Sequence, residues 1–171
     1  MRASLAGSAC EIRPALPADA ERICEIYNHY VTNTVVTFEE ESVTASEMRA
    51  RMAAIFEHLP WLVLERDGII AGYAYAAPWK TRIGYRFTVE SSIYLAPEQV
   101  DRGFGSLLYR ALLDKLRALN VHCVIGGAAL PNPASVALHE KLGFQHVAHL
   151  RQVGCKFGRW IDVAYWQQLF G

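Results

Sequence analysis

Three groups of residues in this chain have types and spacings suited to chemistry. The first is a glycine turn. Ser91-Ser92-Ile93-Tyr94-Leu95 runs into a polar loop, and Asp101-Arg102-Gly103-Phe104-Gly105-Ser106 leads into a leucine-rich stretch. A strand that ends in glycines at the start of a helix turns consecutive backbone N–H groups, and the positive end of the helix dipole, toward an anion. Glycine at 103 and 105 leaves room for a phosphate to approach the backbone. The bland alternative is a tight turn that starts a helix. The Walker pattern GxxxxGK[ST] is absent, and a dinucleotide GxGxxG fails because position 108 is Leu108. The second group is Glu90, a carboxylate in a strand of β-branched and apolar residues. Charge is unusual there unless it faces water or does work. The third is Lys80 with Arg82, in the loop before that strand. Together they suit a carboxylate, which Arg binds through two parallel hydrogen bonds; otherwise they are a solvated basic loop.

Other chemistries find less support. The cysteines Cys10, Cys24, Cys123 and Cys155 are widely and irregularly spaced, with no CxxC pair and no clustered histidines. No metal site is expected. Cys24 and Cys123 lie in apolar segments and read as buried thiols, a usage that fits a reducing cytoplasm. Lys plus Arg equals Asp plus Glu at 17 each, so the chain carries no overall pull toward nucleic acid or an anionic membrane. No apolar run reaches the ~18 residues of a membrane span.

The elements that must position these groups follow from periodicity. Residues 1–10 read as a disordered leader, and residues 11–171, undivided by any Pro/Gly/Ser-rich linker, as one domain. Residues 11–13 form a short strand. Pro17 opens a helix in which Ile23, Ile26, Tyr27 and Tyr30 recur at helical spacing to about Asn33. Residues 34–38 are extended, and Ser42 or Thr44 caps a second helix carrying Met48, Met52, Ile55 and Phe56. Residues 61–65 and 69–77 flank an Asp67-Gly68 hairpin turn, with Gly72 marking a bulge or a close approach. Residues 85–95 form a long strand. Residues 104–119 form an amphipathic helix with Leu107, Leu108, Ala111, Leu112, Leu116 and Leu119 on one face. A buried strand follows over 121–128, then a short helix over 132–142 ending at Gly143, and strands over 144–153 and 157–165. The order implies a mixed α/β (α+β) fold: a largely antiparallel sheet with a local parallel pair and helices on its faces.

The strand, the RGxG turn and the amphipathic helix resemble the acetyl-CoA-binding segment of the GNAT superfamily of N-acetyltransferases. Gly103 and Gly105 match the glycines of the family's Q/R-x-x-G-x-G/A pattern, while Val100 departs from its first position. The likeness extends through Thr37-Phe38-Glu39, Ala77-Pro78-Trp79-Lys80, Thr88-Val89-Glu90-Ser91, Leu130-Pro131-Asn132, Leu138-His139-Glu140-Lys141-Leu142-Gly143-Phe144 and Lys156-Phe157-Gly158-Arg159-Trp160-Ile161-Asp162-Val163. In that order, and over nearly everything from Ile12 to Phe170, the chain resembles the phosphinothricin and methionine sulfoximine N-acetyltransferases.

The resemblance implies a central sheet whose middle strands splay apart, with pantetheine entering the opening and the amine arriving from the other side. Ile93, Tyr94 and Leu95 would offer their strand edge to the cofactor. Asp101, Arg102, Gly103, Phe104, Gly105 and Ser106 would hold its pyrophosphate, and Asn132, otherwise a plain helix cap, its pantetheine arm. Glu90 falls at the position of the general base that deprotonates the ammonium. His139 falls where many relatives carry an acid tyrosine; its alternative is a packed helix histidine. A backbone N–H near Ile93 would steady the thioester oxygen. Lys80 and Arg82 would bind the substrate carboxylate, with Phe38 and Tyr85 bounding its side chain. Lys156, Arg159, Trp160 and Asp162 would bind substrate or support a homodimer. The implied activity is acetylation of a small amino-acid-like molecule. The alternatives are a GNAT acting on a polyamine, an aminoglycoside or a protein N-terminus, and a CoA-binding module without catalysis.

Overall fold

The computed structural model describes residues 2–5, 8–100 and 102–171, with side chains from Cys10 onward. Eight strands form one sheet: β1 (Arg2–Leu5), β2 (Ser8–Pro14), β3 (Trp61–Arg66), β4 (Ile69–Pro78), β5 (Thr88–Leu95), β6 (Cys123–Leu130), β7 (Gln145–Lys156) and β8 (Arg159–Leu169). Their spatial order is β1-β2-β3-β4-β5-β6-β8-β7. Every neighbouring pair is antiparallel except β5–β6, which is parallel. The helices are α1 (Ala20–Asn33), α2 (Ala45–Phe56), α3 (Phe104–Ala118) and α4 (Pro133–Lys141).

Alternation along β3 assigns the two faces. Trp61 and Val63 pack with Ile23, Ile26, Val31 and Met52 of α1 and α2. Leu62 and Leu64 pack with Leu108, Leu112 and Leu116 of α3. Successive strand side chains point to opposite faces, so one strand serves both cores.

The helix boundaries follow from their chemistry. Before α1, a 3-10 turn over Pro17–Asp19 is tied down by Asp19, whose carboxylate accepts from the Leu16 N–H and from Arg13. Thr44, one of the two candidate caps, accepts from the Glu47 N–H while Glu47 accepts from the Thr44 N–H, a reciprocal capping box. Asn132 caps α4, Pro133 occupies its first position, and Gly143 follows it at φ +86°. Gly72 combines both expected roles. The β3–β4 register shifts beside it, and a Cβ there would stand 2.8 Å from the Tyr94 carbonyl oxygen.

Three segments differ from the sequence reading. Arg2–Leu5 and the start of β2 are paired strands within the stretch read as a leader; Met1, Ala6 and Gly7 lie outside the described residues. Residues 34–38 are β-branched but have no strand beside them, and Thr34 Oγ1 instead folds back on the Tyr30 carbonyl at 2.8 Å. The long strand begins at Thr88 rather than Tyr85. Ile83–Tyr85 form a 3-10 turn closed by the Tyr85 and Arg86 N–H groups on the Arg82 and Ile83 carbonyls.

Candidate active site

The parallel pair is the centre of the site. β5 and β6 are in register only from Thr88↔Cys123 to Ser91↔Gly126. Beyond that point residues 92–95 remain paired to β4 and residues 127–130 to β8, but not to each other. The sheet therefore opens into a V whose apex is Ser91 and Gly126. Along its β5 side, the Ile93 backbone and the Leu95 N–H, which alternate with the β4-facing Ser92 and Tyr94, have no strand neighbour and can pair with an extended ligand.

Two consecutive glycines divide the apex between the two faces. A Cβ on Gly127 would lie 3.4 Å from Glu90 Oε1, on the face of α1 and α2. A Cβ on Gly126 would collide with His139 Nε2, on the face of α3 and α4. Glu90 and His139 therefore flank the apex from opposite sides of the sheet, and the structure does not bring them together.

On the first side, Glu90 is half-buried. Burial raises its pKa above the ordinary carboxylate value, and the charge of Lys80 acts in the opposite sense. Lys80 Nζ sits 4.6 Å from the centre of the Trp79 ring, a cation–π contact, and Trp79 meets Tyr165 edge-on at 5.8 Å. Burial, and after it the charge of Glu90, raises the pKa of Tyr165. Glu90, Lys80, Trp79 and Tyr165 thus make one cluster, of which the sequence reading named Glu90 and Lys80. Arg82 and Tyr85 are exposed on the turn that follows Lys80, and no described contact joins them to Glu90. Phe38 lies further along the same face, its ring against Gly154.

On the other side, His139 is buried among Tyr109, Phe144 and Trp166, and it stacks on Trp166 with ring centres 5.5 Å apart. Its Nδ1 lies 2.7 Å from the Ser135 carbonyl, which can only accept, so Nδ1 carries the proton. Burial pushes its pKa down, the Ser135 bond opposing, and the ring is neutral. Nε2 therefore accepts from Tyr109 OH at 3.2 Å. Tyr109 OH in turn lies 2.6 Å from Ser91 Oγ at the apex. Sequence reasoning passed over Tyr109 and Ser91. The available signal was a tyrosine on the apolar face of α3, whose hydroxyl needs a partner once buried.

The mouth of the V fits a phosphate-bearing arm. Gly103 has φ +79° and, among the described residues, no side chain caps α3, so the first-turn N–H groups, which lack intrahelical acceptors, remain available. A Cβ on Gly105 would touch only Leu95 and Leu138, at 3.7 Å or more, so the fold itself does not require glycine there. A closely approaching ligand would. Phe104 is buried, with the Arg66 guanidinium over its ring, and anchors the turn rather than facing outward. Arg102 is exposed and Ser106 half-buried beside it; Asp101 lies outside the described residues. Ile93 and Leu95 pack toward α3, whereas Tyr94 stacks among Tyr27, Tyr30 and Tyr73 on the other face. The Tyr94 side chain therefore lies away from the V, and its backbone pairs with Tyr73 of β4. The Leu95 carbonyl is engaged by Tyr30 OH at 2.6 Å. Asn132 caps α4 through Oδ1 alone, accepting from the Ser135 N–H, which leaves its amide NH₂ to donate. A groove of about 670 Å³ beside α4 has Asn132, Glu140, Arg159 and Trp160 on its walls but neither Glu90 nor Lys80. Among the described residues, no group of three or more His, Cys, Asp or Glu side chains stands ready to hold a metal ion.

A parallel pair thus parts within an antiparallel sheet, with a helix N-terminus at its mouth and a carboxylate at its apex. Residues 12–165 match the acetyltransferase (GNAT) domain, and the chain belongs to that family. It is 42% identical over 160 residues to the phosphinothricin N-acetyltransferase of Streptomyces viridochromogenes, covering 94% of this chain and 87% of that protein. It is 38% identical to the L-methionine sulfoximine/L-methionine sulfone acetyltransferase of Salmonella typhimurium, covering 91% and 92% of the two chains. The crystal structure of a GNAT superfamily phosphinothricin acetyltransferase from Sinorhizobium meliloti in complex with AcCoA superposes with a TM-score of 0.92 at 38% identity, covering 95% of this chain and 89% of that one.

Proposed function

We propose that this enzyme transfers the acetyl group of acetyl-CoA to the α-amino group of a small amino-acid analogue of the phosphinothricin, methionine sulfoximine or methionine sulfone type. The observation that carries the proposal is Glu90, a half-buried carboxylate at the apex with raised pKa and Lys80 beside it. Acetyl-CoA supplies the activated acetyl group as a thioester. Glu90 takes the proton that the substrate ammonium must lose before it can attack, and its raised pKa brings it nearer the range where a base works at neutral pH. Lys80 and Arg82 hold the substrate carboxylate, and Phe38 and Tyr85 bound the side chain. The first turn of α3, with Arg102, Gly103, Gly105 and Ser106, holds the pyrophosphate. The edge of β5 at Ile93 and the Asn132 amide steady the arm, and the Ile93 N–H faces the oxygen that gains charge. His139 acts on the thiolate side, where the departing thiolate must be protonated or its charge steadied, and its Nε2 orients the Tyr109 hydroxyl.

Residues 11–171 act as one acetyltransferase domain, working in the cytoplasm as a homodimer. Exposed Val147, Leu150 and Val153 of β7 and Trp160 of β8 support a second copy as partner, and the molar mass in solution tests it. No described helix is long and apolar enough to cross a membrane.

A thiol-release assay with acetyl-CoA tests the activity across phosphinothricin, methionine sulfoximine, methionine sulfone, common amino acids, spermidine and an aminoglycoside. Release with the first three is expected. Release confined to spermidine or the aminoglycoside would overturn the substrate assignment, and acetyl-CoA binding without turnover of any amine would favour a non-catalytic module.

A further inference from the structure

Lys156 closes β7 and is fully buried. Its Nζ donates to two backbone carbonyls, Val31 at 2.6 Å and Thr37 at 2.8 Å, and sits 5.0 Å from the centre of the Phe157 ring. No carboxylate lies within salt-bridge distance among the described residues. A buried cation is costly unless its donors are satisfied. Here its partners are the C-terminal end of a helix and a loop. Val31 is in the last turn of α1, whose carbonyls lack intrahelical donors and carry the negative end of the helix dipole. Thr37 belongs to the segment between α1 and α2.

That segment is pinned from its other side too. Tyr27 OH donates to Glu39 at 2.9 Å and accepts from Thr37 Oγ1 at 2.8 Å, and Arg51 grips Glu39 at 2.7 and 3.1 Å. Between these two fixings stands Phe38. Its ring occupies the space over Gly154 that a Cβ would fill, so the bare backbone of β7 is its seat. Three residues of β7, 151–153, bulge opposite Asp162, which accepts from the Gln152 N–H at 2.8 Å and pairs with His149 at 2.6 Å. A bulge bends its strand and re-aims the residues beyond it, here Gly154 and Lys156.

Gly154 pairs with Ile161 of β8. Ile161, Val163 and Tyr165 share one face of β8, the face of Glu90. At ~3.3 Å per residue they span about 13 Å, the scale of a small amino acid with an extended side chain. We infer that Lys156 is a positioning residue for substrate selection: with Gly154, it fixes Phe38 as the far wall of the acceptor site, and so sets the length of side chain the enzyme accepts. The inference rests on the acetyltransferase reading and deepens it.

Lys156→Met keeps the apolar stem and removes the donors. It should raise the KM of the preferred amino-acid acceptor about tenfold, the scale of one lost apolar contact, with the KM of acetyl-CoA and the acid limb of the pH profile unchanged. In a Phe38→Ala background the same change should have no further effect on KM. An unchanged acceptor KM, or additive effects of the two substitutions, would overturn the inference. Should Lys156→Met fail to fold, Gly154→Ala displaces Phe38 with Lys156 intact and must produce the same KM shift; no shift would overturn it. Hydrogen exchange over residues 34–44, read without any substrate, separates this inference from the activity. Faster exchange in Lys156→Met is expected even if wild type acetylates none of the amino acids tried, and unchanged exchange would refute the clamp.

Discussion

Replacing Glu90 by Gln is the most direct perturbation of the chemistry. The amide is nearly the size of the carboxylate, so the contacts at the apex, including the 3.4 Å spacing to the Gly127 Cβ position, survive. What is lost is the acceptor for the ammonium proton. A positioned base contributes about 10²–10⁴-fold, which at ~1.36 kcal/mol per tenfold is roughly 2.7–5.5 kcal/mol of barrier. The loss should appear in kcat and kcat/KM for the amine, with the KM of acetyl-CoA unmoved, because Glu90 is not among the residues proposed to hold the cofactor. The pH profile adds a second signature. In wild type, kcat/KM should fall on the acid side as Glu90 takes up a proton, at a pH above the ordinary carboxylate value because burial outweighs Lys80. In Glu90→Gln that limb should be replaced by a rise of about tenfold per pH unit toward the ionisation of the amine itself. A variant with unchanged melting temperature that keeps kcat/KM within about twofold of wild type at neutral pH would refute the role.

Lys80→Ala removes the charge that opposes the upward shift of Glu90, so the acid limb should move to higher pH while the acceptor KM rises and the acetyl-CoA KM holds; both are read from the same initial-rate profiles. Gly126→Ala drives a methyl group into His139 Nε2 and should destabilise the fold by about 1–3 kcal/mol in urea titrations, lowering kcat and leaving the Glu90 limb where it was. Asp19→Asn tests the entry to α1. Burial alone would raise the Asp19 pKa, but the bonds from Arg13 and the Leu16 N–H outweigh it and hold it low. A lowered folded-state pKa gives stability that is present above the unfolded value, about 4, and is lost as pH falls through the folded one. The variant should thus be less stable by about 1–3 kcal/mol at neutral pH, and the gap should narrow as pH falls below the unfolded value in acid–urea titrations.

The sequence made the glycine turn and the helix behind it legible because their signals are local. Gly103, Gly105 and the leucine face of α3 lie within a few residues of one another, and a helix start, an amphipathic stripe and a left-handed glycine are each written in neighbouring positions. The substrate side was harder to read. Tyr85 belongs to a β-rich stretch by composition, yet a turn closed on Arg82 removes it from the strand. Residues 34–38 have strand-like side chains but no neighbouring strand, and propensity cannot supply one. Lys156 sat in a motif that suggested substrate or a dimer contact. Its partners, Val31 and Thr37, are 125 and 119 residues away, and only the fold reveals that it is buried against them. Asp162, from the same motif, serves the β7 bulge.

The paired glycines explain why base and histidine read as one motif set in sequence and yet stand apart in space. Strand side chains alternate, so neighbouring positions on β6 face different layers. A side chain at 126 would collide with His139, and one at 127 would crowd the Tyr165 ring at 3.1 Å and touch Glu90 at 3.4 Å, so glycine at both opens the apex from each side. Ser91 and Glu90 repeat the division on β5, Ser91 bonding to Tyr109 and Glu90 sharing its field with Lys80 and Tyr165. In the proposed roles, proton removal from the incoming amine and proton handling near the departing thiolate would fall on opposite faces of one two-strand apex. Burial and Lys80 set the Glu90 shift, and burial and the Ser135 bond set that of His139. Substitutions on one face should accordingly leave the pH signature of the other in place, which is the pattern that Gly126→Ala and Lys80→Ala, measured side by side, are expected to show.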